Sequence, residues 1–330
     1  MRKAARNANG AMALWMLVAL AAISCGDIDA LRNRLEPATP HERYAESLRN
    51  AGLDSTALGH DWLLASQIAL GEATPVSLPF RAEDAFPGDS TTALGYRLEL
   101  RRGQRLRVAV TVDTTRAMLL FVDLFMAPRD STEGPRHIES AEPRARSLDV
   151  EARRDGSYLL RVQPELLRGG EYTLTVSTEP SLAFPVAGRD GGAIRSYFGA
   201  ARDAGRRVHH GIDIFAPRGT PVLSVSDGFV RDAGTNTLGG KVVWVWDDRR
   251  GHSYYYAHLD SQAVTFGARV QPGDTLGFVG NTGNARTTAP HLHFGIYTRG
   301  EGPVDPLPFV HQLRSQRATA TAEGTADLRG

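Results

Sequence analysis

Cysteine is almost missing from this 330-residue chain, with Cys25 the sole example. No intramolecular disulfide can form and no site with several thiolates can be built, so a metal would have to be held by histidine and carboxylate. An excess of charge is missing too. Lys and Arg total 38 against 37 Asp and Glu, a formal net charge of +1, which is not the basic balance of a nucleic-acid binder, and no nucleic-acid partner is expected. Lysine is reduced to Lys3 and Lys241. No uncharged apolar run reaches the ~20 residues of a membrane-crossing helix, and no G-x-S-x-G elbow is present for a serine nucleophile. What remains is a globular composition, 42% hydrophobic and 23% charged, at a length that suits about two domains.

The first 25 residues have a pattern of their own. Arg2, Lys3 and Arg6 precede an apolar run from Ala11 to Ile23, followed by Ser24 and Cys25. A positive flank before a short apolar core reads as an export signal over residues 1–24. The sole cysteine falls where the run ends, after Ala22-Ile23-Ser24, an arrangement that resembles the lipobox of bacterial lipoproteins. That resemblance implies cleavage before Cys25, a membrane partner through its lipidation, and an exported protein on the periplasmic or outer-surface side. Loss of residues 1–24 removes three positive charges and leaves a formal −2.

The rest of the chain divides by periodicity and is mainly β. Residues 25–38 are polar and read as a tether. Residues 39–72 have helical spacing: Tyr44, Leu48 and Ala51 share one face, and Leu58, Trp62, Ala65 and Ala69 share that of a second helix, with Leu64 and Ile68 widening it. From 75 to 178 the period becomes two. Leu98 and Leu100 before Arg102-Gly103, and Leu106, Val108, Val110 and Val112 after it, form a hairpin pattern. A near-repeat, Gly156 to Val162 and Gly170 to Val176, suggests an antiparallel sandwich. This segment resembles the pre-peptidase β-sandwich domains of secreted bacterial peptidases. A linker over 179–189, with Pro180, Pro185 and Gly188, leads to residues 190–313, a Gly-rich antiparallel β unit whose short apolar runs alternate with turn signals. Residues 314–330 are small and polar and read as a disordered tail.

Five of the ten histidines fall in three short segments of that last unit. In His209-His210-Gly211-Ile212-Asp213, an extended chain turns residues 209, 211 and 213 to one side, so His209 and Asp213 can converge while Gly211 leaves room. In His291-Leu292-His293 the two imidazoles again share a face, and His258 closes the run Tyr254-Tyr255-Tyr256-Ala257. Neutral imidazole and carboxylate are zinc ligands, and a catalytic zinc keeps three protein ligands and an open position. Tyr254 and Tyr256 share the face of His258 if the strand is regular, where they pack or contact substrate. His210 points away from the ligands, and both it and His252 are expected to be structural or solvated.

Together with Gly219-Thr220-Pro221-Val222, Tyr256-Ala257-His258-Leu259 and Gly280-Asn281-Thr282-Gly283, these segments resemble the signature series of lysostaphin/LytM-type zinc metallopeptidases. The resemblance covers about 120 residues, roughly 191–310. It implies a β core with a groove, one Zn2+ ion, and hydrolysis of peptide bonds in a peptidoglycan partner. Carried over residue by residue, it implies His209, Asp213 and His293 as metal ligands and His258 and His291 as catalytic residues beside the metal. Two rivals stand against this reading. One is a non-enzymatic wall-binding lipoprotein that regulates another hydrolase. The other is a biotinyl- or lipoyl-type carrier, suggested by Val270 to Gly277, which would need a modified lysine at a hairpin tip and has only Lys241 in the exported chain.

Overall fold

The computed structural model describes residues 38–113, 117–130, 132–202 and 204–312. The expectations placed on the export signal, on Cys25 and on the 314–330 tail lie outside these residues. Among the described residues, no helix is long and apolar enough to cross a membrane.

Helix α1 (Pro40–Asn50) begins at Thr39, whose side chain caps the Glu42 amide while the Glu42 carboxylate accepts from the Thr39 amide, with Pro40 in the first turn. Helix α2 (Ala57–Gly71) follows. The pair is seated by Trp62, whose Nε1 donates to the Pro164 carbonyl at 2.9 Å, and by Gln163, whose Nε2 donates back to the Trp62 carbonyl at 2.9 Å. The buried face of α2 is Gly59, Trp62, Ser66 and Ala69, a correction to the expected one. Gly59 lies so close to the Leu53 carbonyl that a Cβ there would sit 2.0 Å from it. That contact and the Trp62 hydrogen bond roll the helix, leaving Leu58, Leu64 and Ile68 exposed.

The next unit is a two-sheet sandwich. One sheet has the order β1 (Thr74–Pro75), β3 (Leu94–Leu100), β8 (Gly156–Pro164), β5 (Leu120–Met126), β6 (Arg136–Ser140). The other is β2 (Phe80–Phe86), β9 (Gly170–Pro180), β4 (Gln104–Asp113), β7 (Ser147–Glu151). Inward-facing Leu98, Leu124, Leu160 and Val162 of the first meet Leu106, Val108, Leu174 and Val176 of the second in one core. The expected hairpin at Arg102-Gly103 is corrected here: β3 pairs with β8 and β4 with β9, so the turn arches between sheets. Alternation assigned the buried faces correctly, because both strands point into the same core, but it does not name a strand's partner.

The C-terminal sheet runs β10 (Ile194–Ser196), β13 (Ile212–Phe215), β21 (His291–Thr298), β18 (His252–Gln262), β17 (Gly240–Asp247), β15 (Gly228–Asp232), β19 (Arg269–Val270). Short strands β14 (Pro221–Leu223), β16 (Thr235–Asn236), β20 (Thr275–Val279) and β22 (Gly302–Val304) pair at its margins, and β11 (Ala201–Arg202) with β12 (Arg207–Val208) forms a separate ribbon. Ile212, Ile214, Leu292, Phe294, Ile296, Tyr254 and Tyr256 fill the core beneath one face. The expected 179–189 linker is part of this unit. Leu182 and Val186 are buried in its core, and the Leu182 amide donates to the Phe309 carbonyl.

The sandwich meets this unit at the Thr298 end of β21. The Arg102 guanidinium reaches Glu301 at 2.6 Å and Thr298 at 3.1 Å, and Arg250 reaches Glu151 at 2.9 Å. His293 lies five residues from Thr298, roughly 17 Å along the strand.

Candidate metal centre

The face of the C-terminal sheet opposite its core holds the histidines. Asp213 and His293 lie directly opposite one another on β13 and β21, and Ala257 on β18 lies opposite His293. His209 enters from the loop before β13. Its Nδ1 donates to the Tyr197 carbonyl at 2.9 Å, which leaves Nε2 with a lone pair. That Nε2 lies 3.0 Å from Asp213 Oδ1 and 3.0 Å from His293 Nδ1, and His293 Nδ1 lies 3.0 Å from the same oxygen. All three atoms fall within 4.8 Å of one another, and the residues are largely buried. Lone pairs brought this close repel unless a cation or extra protons lie among them, so the donor set fits a metal ion.

Gly211 makes the convergence possible. A Cβ there would sit 2.4 Å from the Phe294 carbonyl and 2.8 Å from His293 Cε1. Burial alone would raise the Asp213 carboxyl, but without a metal ion protonated His209 and His293 donate to it, and these bonds and charges hold it far below the usual carboxylate range. Burial pushes the His293 imidazole down, against the pull of Asp213.

His258 and His291 complete the cluster, with ring centroids 5.0 Å apart. His258 Nδ1 donates to the Thr282 carbonyl at 3.0 Å and His291 Nδ1 to the Ala289 carbonyl at 2.8 Å. Carbonyls only accept, so both rings keep their proton on Nδ1 and a lone pair on Nε2. Burial, then neighbouring His291 and His293, lowers His258 to about 4.

His258 reaches this face through an irregularity. Ala257 lies opposite His293, so strict alternation would send His258 to the core side with Tyr254 and Tyr256. Instead His258 adopts a left-handed backbone, φ 64°, where the register of β18 shifts, and the bulge re-aims its ring. The expected grouping of His258 with Tyr254 and Tyr256 is therefore corrected: both tyrosines are fully buried, and Tyr255 lines the groove. Tyr255 stacks near Trp244 at 4.3 Å and meets His293 edge-on at 5.8 Å. A non-glycine residue in a left-handed bulge leaves no mark on periodicity.

Two further groups were not found from the sequence. Arg202 Nη2 donates to Asp213 Oδ2 and to Ser196 Oγ, both at 2.6 Å. Oδ1 thus faces the imidazoles while Oδ2 is held from outside. The carrier reading loses its lysine, since Lys241 Nζ donates to the Asp260 carbonyl at 2.6 Å and sits within β17. His210 is exposed at the groove rim, and His252 is buried at the start of β18.

Comparison with known proteins matches this unit. The sequence pattern of Peptidase family M23 fits residues 207–306. An L-Ala--D-Glu endopeptidase of Bacillus subtilis is 39% identical over 139 residues, covering 39% of this chain and 42% of that protein. A peptidoglycan DD-endopeptidase of Vibrio cholerae is 38% identical over 96 residues, covering 28% of this chain and 21% of that protein. The solved catalytic domain of lysostaphin from Staphylococcus simulans is 32% identical, covering 35% of this chain and 90% of that one, with a TM-score of 0.33. The chain spans less than half the length of these two curated relatives. Residues 207–306, which carry His209, Asp213, His258, His291 and His293, match Peptidase family M23.

Proposed function

We propose that the C-terminal unit is a zinc-dependent endopeptidase that cuts peptide bonds in bacterial peptidoglycan. The observation that carries this reading is the convergence of His209 Nε2, Asp213 Oδ1 and His293 Nδ1 beside two further imidazoles whose Nε2 atoms are free. The family match over residues 207–306 and the endopeptidase relatives support the reaction class. In this assignment His209, Asp213 and His293 hold Zn2+, as two imidazoles and one carboxylate suit that ion and leave a position open. When bound, zinc acidifies water toward ~7 and polarises a carbonyl.

The chain's own residues supply the proton handling. A neutral imidazole with its lone pair on Nε2 accepts the proton of the attacking water, and the same or the neighbouring imidazole returns one to the leaving amine. The carbonyls of Thr282 and Ala289 fix both rings in the tautomer this needs. Arg202 holds Asp213 Oδ2, so the carboxylate presents Oδ1. The lipobox pattern at Cys25 supports action at a bacterial membrane outside the cytoplasm.

The test is digestion of purified peptidoglycan by the full chain. Soluble muropeptides released with zinc, and none released after chelation, are the expected outcome. A protein that holds zinc and releases nothing would overturn the reading in favour of a wall-binding regulator.

A further inference from the structure

The groove above the metal centre, about 760 Å³, has two unlike walls. The strand order separates them: β13 and β21 carry Asp213 and His293, β10 lies beyond β13, and β18 with β17 lies beyond β21. On the β21–β18–β17 side the wall is aromatic, with Tyr297, Tyr255 and Trp244 packed together at 4.3 to 6.4 Å. Beyond β13 it is cationic, with Arg195, Arg202 and Arg207. Among the described residues lining the groove, Asp213 is the only carboxylate.

That carboxylate is already engaged by His209, His293 and Arg202. Arg202 spends one nitrogen, Nη2, on Asp213 and Ser196. Arg195 is the extra residue of a bulge in β10, where Ile194 pairs with Ile214 and Ser196 with Asp213. It is exposed to the groove and has no ion pair among the described residues. A divalent cation at the ligand set would add positive charge beside Arg195 and Arg202. A peptide bond is uncharged, and the proton handling assigned above uses Arg202 only to hold Asp213 and does not use Arg195. Their planar forks match a carboxylate, and a cleft lined by one sign of charge concentrates ligands of the other. Arg195 and Arg202 also lie before residue 207, where the family match begins, so these two residues lie outside the matched segment.

We propose that Arg195, with the free nitrogens of Arg202, forms a subsite for a free carboxylate on the substrate, so that the groove selects acidic peptides over uncharged ones of the same length. The proposal deepens the hydrolase reading by naming the substrate class, and rests on it.

The test uses the full zinc-loaded chain and pairs of synthetic peptides that differ only in one side chain, carboxylate or carboxamide, placed in turn at each of two positions on either side of the bond to be cut. Binding is read by fluorescence anisotropy and cleavage by mass spectrometry. The wild type is expected to favour one carboxylate peptide at least tenfold. That ratio should shrink as salt is raised and fall below threefold in Arg195→Gln. A wild-type ratio near one at every position, or a ratio kept by Arg195→Gln, overturns the subsite. The two readings fail separately. Selective binding with no cleavage of any peptide overturns the hydrolase, whereas cleavage of both members of every pair at equal rates overturns only the subsite.

Discussion

Adding one methyl group at Gly211 is expected to damage the metal centre without touching a ligand. Gly211→Ala would place a Cβ 2.4 Å from the Phe294 carbonyl oxygen and 2.8 and 2.9 Å from His293 Cε1 and Nε2, where ordinary contact begins at 3.4 Å. The backbone oxygen is tied into β21, which pairs on both sides with β13 and β18. The imidazole is therefore the softer partner, and it must retreat by 0.6 Å, the difference between 2.8 and 3.4 Å. Metal–ligand distances tolerate about 0.2 Å. Misplacing a ligand by three times that amount should cost zinc affinity at least the 10–100-fold seen when ligand-orienting contacts are lost. Stability should fall by about 1–3 kcal/mol from overpacking. Competition against a chromogenic zinc chelator gives the affinity, and thermal unfolding in excess chelator gives the stability of the metal-free chain. Zinc affinity within twofold of wild type would refute the packing argument, whatever happens to the melting temperature.

Other perturbations separate the remaining parts of the account. His291→Ala should retain zinc and lose hydrolysis by about 10²–10⁴-fold, since only proton transfer is removed; equal turnover to wild type in purified variant protein would contradict the role. His41 tests the seating of the helical pair. It is buried against Trp62 and Phe121, hydrogen-bonded to Gln163, and faced by the charges of Arg161, Asp123 and Glu42. Burial first, then Arg161, lowers its pKa from 6.5 to about 4. The unfolded chain therefore binds this proton more readily, and the native state should lose up to about 3 kcal/mol as pH falls from 6.5 to 4. Denaturant titrations of the wild type and His41→Gln across that range should differ in slope, and parallel slopes would rule the effect out. Leu106→Ala, in the sandwich core, should cost about 2–5 kcal/mol while leaving zinc affinity as it was; equilibrium unfolding and the chelator competition measure the two separately.

Much of this architecture was legible in the sequence because burial leaves a periodic mark. Alternation at Leu98, Leu106 and Leu174 identified sandwich strands, and the spacing of His291 and His293 identified side chains that share one sheet face with Asp213, which His209 reaches from the loop before β13. What was not legible depends on contacts that periodicity does not encode. The Arg102-Gly103 turn looks the same whether it closes a hairpin or arches between sheets. The buried face of α2 turned because Gly59 packs on Leu53 and Trp62 seeks the Pro164 carbonyl, both long-range or steric facts. Pro180, Pro185 and Gly188 mark an irregular stretch, yet irregular chain can be buried, as Leu182 and Val186 are. His258 shows the limit most sharply, since one left-handed residue exchanged Tyr254 and Tyr256 for Tyr255 as the site's neighbour.

The structure also bears on what the sandwich does to the groove. Its contacts, through Arg102, Glu301, Thr298, Arg250 and Glu151, lie toward the Thr298 end of β21. The groove is lined only by residues between Arg195 and Tyr297. Among the described residues the sandwich therefore contributes nothing to the lining of the groove.

The most direct measurement is the metal content of the purified, dialysed chain, by elemental analysis of the wild type and His293→Ala side by side. The account predicts one zinc per wild-type chain and almost none in the variant. A wild type without stoichiometric metal, or a variant that keeps its full complement, would contradict it.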